Sequence, residues 1–300
     1  MKKIVIAWIL TLTLVFSIVG VASAITDGEL DDGRHPYVGI LAIFSGNEDD
    51  GYEYEWRCSG TMISPTIFLT AGHCTEIWND IVPTKAHIWF DDDVESNSCP
   101  YIDGVGYEEC GDDQFPWGGW NEDFRTATGH EKLLTHPDYY DYPWFMKDLG
   151  VVVLDEAYDL DEYGVLPQLD QLDSMKTKRG KQDVTFTAVG YGLQKSFPDA
   201  ASWKEVAEKV RMVSYPKLNQ INAPGFTGDF SLLLSNNTAT GGTCFGDSGG
   251  PNFIGKSNVL AGVTSFGMNP TCAGTGGVYR VDRADDLDWL ATFGVYPPTP

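Results

Sequence analysis

Positive charge is scarce in this chain of 300 residues. Twenty lysines and arginines stand against 43 aspartates and glutamates, a formal net charge of −23. So acidic a surface excludes nucleic acid as a partner, because phosphate would be repelled rather than neutralised. Long apolar runs are also lacking beyond the first 24 residues, so no later segment can span a membrane as a helix. None of the six cysteines (58, 74, 99, 110, 244 and 272) has the C-x-x-C spacing of a zinc or thioredoxin-like site. Histidine is confined to positions 35, 73, 87, 130 and 136, and none follows. Helical periodicity is rare too: only Arg283–Phe293 reads clearly as a helix, with Leu287, Trp289 and Leu290 on one side.

What is present begins with an export signal. Lys2 and Lys3 precede the apolar run from Ile4 to Gly20, and Ala22-Ser23-Ala24 supplies a small-residue cleavage pattern directly after it. An uncleaved anchor is the alternative; the position of the cleavage pattern favours removal. Removal leaves 276 residues (300 − 24) and takes away two lysines and no acids, moving the charge from −23 to −25. The remainder is long enough for one large domain or two compact halves. Secretion, to the periplasm or the medium, makes disulfides the natural reading of six cysteines, and their spacing alone leaves fifteen pairings open.

The body reads as all-β. Short apolar or β-branched runs recur at Tyr37–Phe44, Thr61–Thr70, His87–Phe90, Leu149–Leu154, Val184–Val189, Val259–Ser265 and Val278–Val281, punctuated by 33 glycines and 16 prolines. Such spacing predicts a sandwich or barrel. Trp203–Val213 fits helix or strand equally. Residues 91–123 stand apart, with eleven acids, two cysteines and the patch "FPWGGW". Lacking strand pattern and too long for an ordinary connection, this stretch reads as an insertion stapled by Cys99 and Cys110, the patch packing locally.

The sharpest chemical signal is "TCFGDSGGP", residues 243–251. A serine between glycines can sit on a tight turn, present its hydroxyl and leave N–H groups facing a developing oxyanion. The same letters satisfy the G-x-S-x-G elbow of α/β-hydrolases, in which aspartate or glutamate and then histidine follow the serine. Every histidine here precedes Ser248, so that reading is excluded and the base lies upstream. "LTAGHCTE" supplies His73. In "KDLGVVVLD", Asp148 opens a strongly apolar strand, where an acid needs a partner. The order His73, Asp148, Ser248 is the chymotrypsin order of a serine triad.

Through "TAGHC", "HPDYY…KDLGVVVL", "GDSGGP", "VTSFG", "TGGVYRV" and Asp288-Trp289-Leu290, the chain resembles the trypsin/chymotrypsin family of serine endopeptidases over most of residues 25–293. The resemblance implies two six-stranded antiparallel Greek-key barrels and a C-terminal helix. Residues 25–155 would carry His73 and Asp148, with the 91–123 insertion; residues 156–300 would carry Ser248. It implies His73 as general base, Asp148 as the group that sets its tautomer, Ser248 as nucleophile, and the N–H groups of Gly246 and Ser248 as oxyanion hole. Ser265 would support Asp148, and the Gly267 backbone would align substrate as an added strand. Disulfides Cys58–Cys74 and Cys244–Cys272 are implied likewise, which leaves Cys99 with Cys110.

The resemblance extends to specificity and activation. Gly242 occupies the position at which trypsin-like members carry the aspartate that binds Arg or Lys, and no histidine is available for an acid-selective pocket. With Gly267 and Gly277 on the walls, the expected pocket is uncharged and open, suited to Phe, Tyr, Leu or Met. Ile25 begins "ITDGELDDGRHPYVGIL", similar to the family's mature start, so its ammonium would pair with Asp247. Departures are the long insertion, Phe266 in place of the usual tryptophan, and the absence of two second-barrel disulfides, which with "MKK" suggests a bacterial-type member.

No cofactor is called for. Asp91–Asp93 with Glu95 is a candidate calcium site, although it lacks the glycine and glutamate of a calcium loop. The expected partner is a protein or peptide substrate, with no nucleic acid or membrane, and the protein is expected to be a monomer. His35, His87, His130 and His136 are expected to be structural. The competing reading is a non-catalytic binding protein of the same fold that uses the 91–123 insertion.

Overall fold

The computed structural model describes residues 25–94, 123–140, 146–176, 181, 183–194, 209–223 and 227–299. The first strand, β1 (Glu29–Leu30), is followed by β2 (Val38–Asn47), β3 (Gly51–Ser64), β4 (Ile67–Thr70), β5 (Lys85–Trp89), β6 (Arg125–Thr128), β7 (Leu133–Thr135) and β8 (Gly150–Val153). Strands β2 to β8 form one antiparallel sheet in the order β6-β5-β2-β3-β4-β8-β7. β6 pairs with β5 and β7 pairs with β8, and only Gly129 and the turn His130–Lys132 separate β6 from β7. They are two halves of one strand, so the seven segments close as a six-stranded barrel.

The second sheet holds β9 (Phe186–Gly190), β10 (Met212–Ser214), β11 (Leu218–Ile221), β12 (Ser231–Asn236), β13 (Pro251–Ile254), β14 (Leu260–Gly267) and β15 (Gly274–Arg280), with β1 on its edge. β10 pairs with β9 and β11 with β12, on either side of Tyr215-Pro216-Lys217. Proline has no N–H for the ladder, which accounts for the break. This barrel is again six-stranded, plus β1. The N-terminal segment thus joins the second sheet through Glu29 opposite Val213, although its sequence precedes the first.

Local chemistry explains most boundaries. The first seven residues of β2 are buried, as their nearly unbroken apolar run requires. Its hairpin to β3 is set by Asn47, whose Oδ1 accepts from the N–H groups of Asp49 and Asp50, both at 2.9 Å. The run Thr61–Thr70, legible as one strand, is two, because Pro65 turns the chain between β3 and β4. The ambiguous stretch ends as β10. The C-terminal helix spans Ala284–Ala291, slightly shorter than expected, with Asp285 and Asp286 in its first turn. Acids there complement the helix dipole. Leu287 and Leu290 are buried, and Trp289 meets His136 edge-on at 5.0 Å.

A buried ion cluster joins the barrels. Arg211 donates to Asp31 Oδ2 (3.0 Å), to the carbonyls of Val38 (3.0 Å) and Phe90 (2.7 Å), and to Asp92. Asp31 also accepts from His35, through the backbone (2.9 Å) and Nδ1 (2.5 Å). Residues 92–94, the root of the predicted insertion, run antiparallel to 209–211, with Asp93 opposite Val210. Residues 95–122, including Cys99, Cys110, Glu95 and "FPWGGW", lie outside the described residues. Arg211→Met should destabilise the protein by about 3–5 kcal/mol, because Asp31 stays buried without its cation. Urea unfolding reads this, and Asp31→Asn in the same chain should recover much of the loss.

Candidate active site

The site is assembled where β4 and the serine loop meet. After β4 the chain enters the one-turn helix Gly72–Thr75, which carries His73. Gly72 is required there, since a Cβ would lie 2.9 Å from the Tyr139 ring and 3.1 Å from the Leu149 nitrogen. Asp148 is fully buried just before β8. Its Oδ1 accepts from the His73 backbone N–H at 2.9 Å, and its Oδ2 lies 3.0 Å from His73 Nδ1. Ser265 Oγ donates to Oδ2 at 2.5 Å. These contacts place the imidazole proton on Nδ1 and leave Nε2 as an acceptor, with the side chain 18% exposed. Burial disfavours the charged ring, but the charge and hydrogen bond of Asp148 outweigh it, so the His73 pKa lies above 6.5.

The serine loop is pinned to the first barrel. The Ser248 carbonyl accepts from Ser59 N–H at 2.7 Å, and Ser59 Oγ donates to the Gly246 carbonyl at 2.9 Å. Thr70 Oγ1 donates to the Ser59 carbonyl at 2.8 Å, so β3 and β4 hold the loop, with the Ser248 carbonyl 3.9 Å from Cys74 Sγ in the His73 turn. Gly249 has φ +77, and a Cβ there would fall 2.0 Å from Thr70 Oγ1. Gly246 has φ +93, and among the described residues neither its N–H nor that of Ser248 is spent on another group. Two free amides beside a partly exposed serine form an anion-binding corner. Ser59 and Thr70 carry no sequence signal of this role, since a buried hydroxyl in a strand has no motif.

Asp247 is buried beneath that corner. Its oxygens accept from Cys244 N–H and Gly192 N–H, each at 2.8 Å. Gly190 and Gly192 must be glycines, because a Cβ at either would lie within 2.5 Å of the carboxylate. Burial pushes the Asp247 pKa up to about 7, with the two amides and Arg57 opposing. Ile25 is fully buried against Met212 and Val210. In the 300-residue chain its nitrogen is an amide that follows Ala24.

Of the residues expected to line a substrate pocket, Gly242 is buried against Asn236, and Gly277 makes room for the Phe266 ring, 2.3 Å from where a Cβ would stand. Gly276, not singled out in the sequence, faces Thr243 Oγ1 instead. Gly267 is exposed at the end of β14, opposite Gly276.

Cysteines 58 and 74 are joined, as are 244 and 272, the first pair bracketing the His73 turn and the second closing the serine loop onto the β14–β15 connection. Cys58, Cys74 and His73 cluster within 4.8 Å, but disulfide sulfurs are not thiolate ligands. The remaining histidines have structural surroundings. His35 lies on Asp31 and stacks on Phe253, and His87 stacks on Phe124 at 4.0 Å, its pKa lowered to about 3 by burial. His130 Nδ1 is 2.9 Å from the Pro83 carbonyl, and His136 accepts from Asp138 N–H.

The chain is similar to several known proteins. In the solved structures, HL collagenase matches with a TM-score of 0.61 at 19% identity, covering 90% of this chain and 99% of its own. A mutant of human heparin binding protein (CAP37) matches with a TM-score of 0.57 at 16% identity, covering 92% and 100%. Both show the two-barrel fold. Among curated proteins, ovochymase of Halocynthia roretzi is 26% identical over 78% of this chain, and the venom serine protease Bi-VSP of Bombus ignitus is 24% identical over 82%. Coagulation factor XII of Cavia porcellus is 25% identical over 86%. The chain spans only 13%, 62% and 38% of these relatives' lengths. All three are animal proteins, so they lend no support to a bacterial type. The family profile described as Trypsin matches residues 120–289, which include Asp148 and Ser248. With more than half of the chain matched, and His73 delivered to Asp148 by the fold, the protein belongs to the trypsin family.

Proposed function

We propose that this protein is a secreted serine endopeptidase acting through His73, Asp148 and Ser248. The observation that carries the reading is the continuous hydrogen-bonded line from Ser265 through Asp148 to His73, with the Ser248 loop pinned beside it. Ser248 Oγ attacks the scissile carbonyl as His73 Nε2 takes its proton. The N–H groups of Gly246 and Ser248 receive the oxyanion, and His73 returns the proton to the leaving amine. Water then hydrolyses the acyl-enzyme by the same route. Gly267 at the β14 edge pairs with the substrate backbone. No cofactor takes part in these steps, and the enzyme acts as a monomer on proteins or peptides.

A serine-directed fluorophosphonate tests the reading. The mature protein should label stoichiometrically, and an inert protein would favour the non-catalytic binding alternative. The base must be neutral to accept a proton, so kcat/KM should fall as pH drops through a value above 6.5, following the raised His73 pKa. A profile flat down to pH 5.5 would contradict His73 as base.

The uncharged surroundings of Gly242, Gly267, Gly276 and Gly277 favour an apolar P1 side chain, whose burial contributes about 1.5–3 kcal/mol. A P1 panel should show Phe, Tyr, Leu or Met preferred over Arg and Lys by at least about tenfold. Signal-peptide removal after Ala24 frees the Ile25 ammonium for Asp247, so activation accompanies export.

A further inference from the structure

Asn236 ends β12, is 2% exposed, and is absent from every motif in the sequence. Its carboxamide occupies the place into which a side chain at position 242 would project: a Cβ on Gly242 would lie 2.3 Å from Asn236 Cγ and 2.6 Å from Oδ1. Both ends of the amide are engaged. Oδ1 accepts from Thr26 Oγ1 at 2.8 Å, and Nδ2 donates to the Thr243 carbonyl at 2.8 Å. Thr26 Oγ1 also lies 3.2 Å from the Gly242 carbonyl, where it shares its one proton, and the Gly242 N–H donates to the Thr26 carbonyl at 3.1 Å. A side chain from a distant strand is therefore clasped between the second residue of the mature start and the segment leading into Cys244 and Ser248.

We propose that Asn236, rather than residue 242, is the floor of the P1 pocket and sets its depth, and that Thr26 holds this floor in place. This rests on the endopeptidase reading above. Where an aspartate at 242 would present charge, this chain presents a neutral amide whose hydrogen bonds are already directed to protein partners. Such a floor offers no negative charge to a guanidinium or an ammonium. It also takes volume from the bottom of the pocket, favouring compact apolar P1 side chains such as Leu and Met over Phe and Tyr. Because the floor is locked by residue 26, its shape depends on the seating of the N-terminal segment. Thr26 is thus a positioning residue for specificity, acting through Asn236.

The test uses mature protein beginning at Ile25 and peptide substrates that differ only at P1. Asn236→Ala should raise the ratio of kcat/KM for Phe to that for Leu by about tenfold, the scale set by adding space for a few heavy atoms to an apolar pocket. Thr26→Val should move the ratio in the same direction by a smaller factor, and Thr26→Ser should restore it. A purely structural role would lower kcat/KM for all substrates alike. Independently of activity, Gly242→Ala should lower Tm by ~5 °C or more, and adding Asn236→Ala should recover most of that loss.

A Phe/Leu ratio unchanged in both Asn236→Ala and Thr26→Val, in enzyme that still labels with fluorophosphonate, would overturn the assignment while leaving the endopeptidase reading intact. So would Gly242→Ala with no loss of Tm. Wild-type protein that neither labels nor cleaves would overturn the endopeptidase reading, and the pocket floor with it.

Discussion

Replacing Ser248 by alanine should reduce kcat by about 10⁶ and abolish fluorophosphonate labelling, with the fold unchanged. The size of the effect follows from the arrangement of the group. In the proposed mechanism His73 keeps Nδ1 on Asp148, 3.0 Å away, and exchanges a proton with the Ser248 hydroxyl through Nε2. On that mechanism no acyl-enzyme can form without the Ser248 hydroxyl, and only the amides of Gly246 and residue 248 would remain to polarise a carbonyl. His73→Ala should cost nearly as much and should not add to the first substitution, because the two act as one unit. Burst kinetics with an activated ester and intact-mass detection of the acyl-enzyme provide the check. Residual turnover within about a hundredfold of wild type would place the nucleophile elsewhere.

The second large effect concerns the N-terminus. Mature protein extended by Ala24 alone, or beginning at an acetylated Ile25, should lose about 10²–10⁴ in kcat/KM. That range corresponds to the 3–5 kcal/mol of a buried carboxylate deprived of its cation. Stability should carry the same signature. With the amine blocked, Asp247 has a folded pKa of about 7 against an ordinary value of 3.8. The folded state then binds more protons than the unfolded chain between those values, so stability falls as pH rises from about 4 to about 7. The total is on the order of 4 kcal/mol.

A free Ile25 ammonium would favour the charged carboxylate and remove that decline. Asp286, whose buried carboxyl accepts the Tyr279 hydroxyl at 2.9 Å and is likewise raised to about 7, contributes equally to both proteins and cancels from the comparison. Urea unfolding at pH 4.5 and pH 7.5 should therefore give similar stabilities at the lower pH and a clear advantage for free Ile25 at the higher one. Equal stability at both, or full activity in the blocked protein, would separate export from activation. In alkali, loss of the ammonium should bring activity down at a pH above the ordinary 7.7–8.0 of an α-amino group.

Much of this was legible along the chain because it is local. "GDSGG" demands glycines for backbone reasons that hold wherever the segment is placed, and Gly246 and Gly249 do have positive φ. The apolar run of β8 makes Asp148 conspicuous, and a buried acid predicts a partner. Strand existence followed from the same runs, whereas boundaries depended on single residues such as Pro65 and Pro216, whose missing N–H ends a ladder.

Other features were invisible because each residue acquires its role from a partner far away in sequence. Ser59 is an ordinary strand serine until the fold sets its N–H on the Ser248 carbonyl. Arg211 falls in a stretch that fits helix or strand, and nothing there announces that it will join Asp31, Val38 and Phe90. Asn236 is one of two adjacent asparagines, distinguished only when Thr26, 210 positions earlier, donates to it. By itself the sequence determined the fold class, the order of the three catalytic candidates and the absence of charge at position 242, since those depend on residue type and local pattern. The tertiary structure alone decided which hydroxyls hold the serine loop, which arginine ties the barrels together, and which side chain fills the space at Gly242. These are long-range contacts, and a hydrogen-bonding group has no assigned role until folding has brought its partner within reach and excluded water from between them.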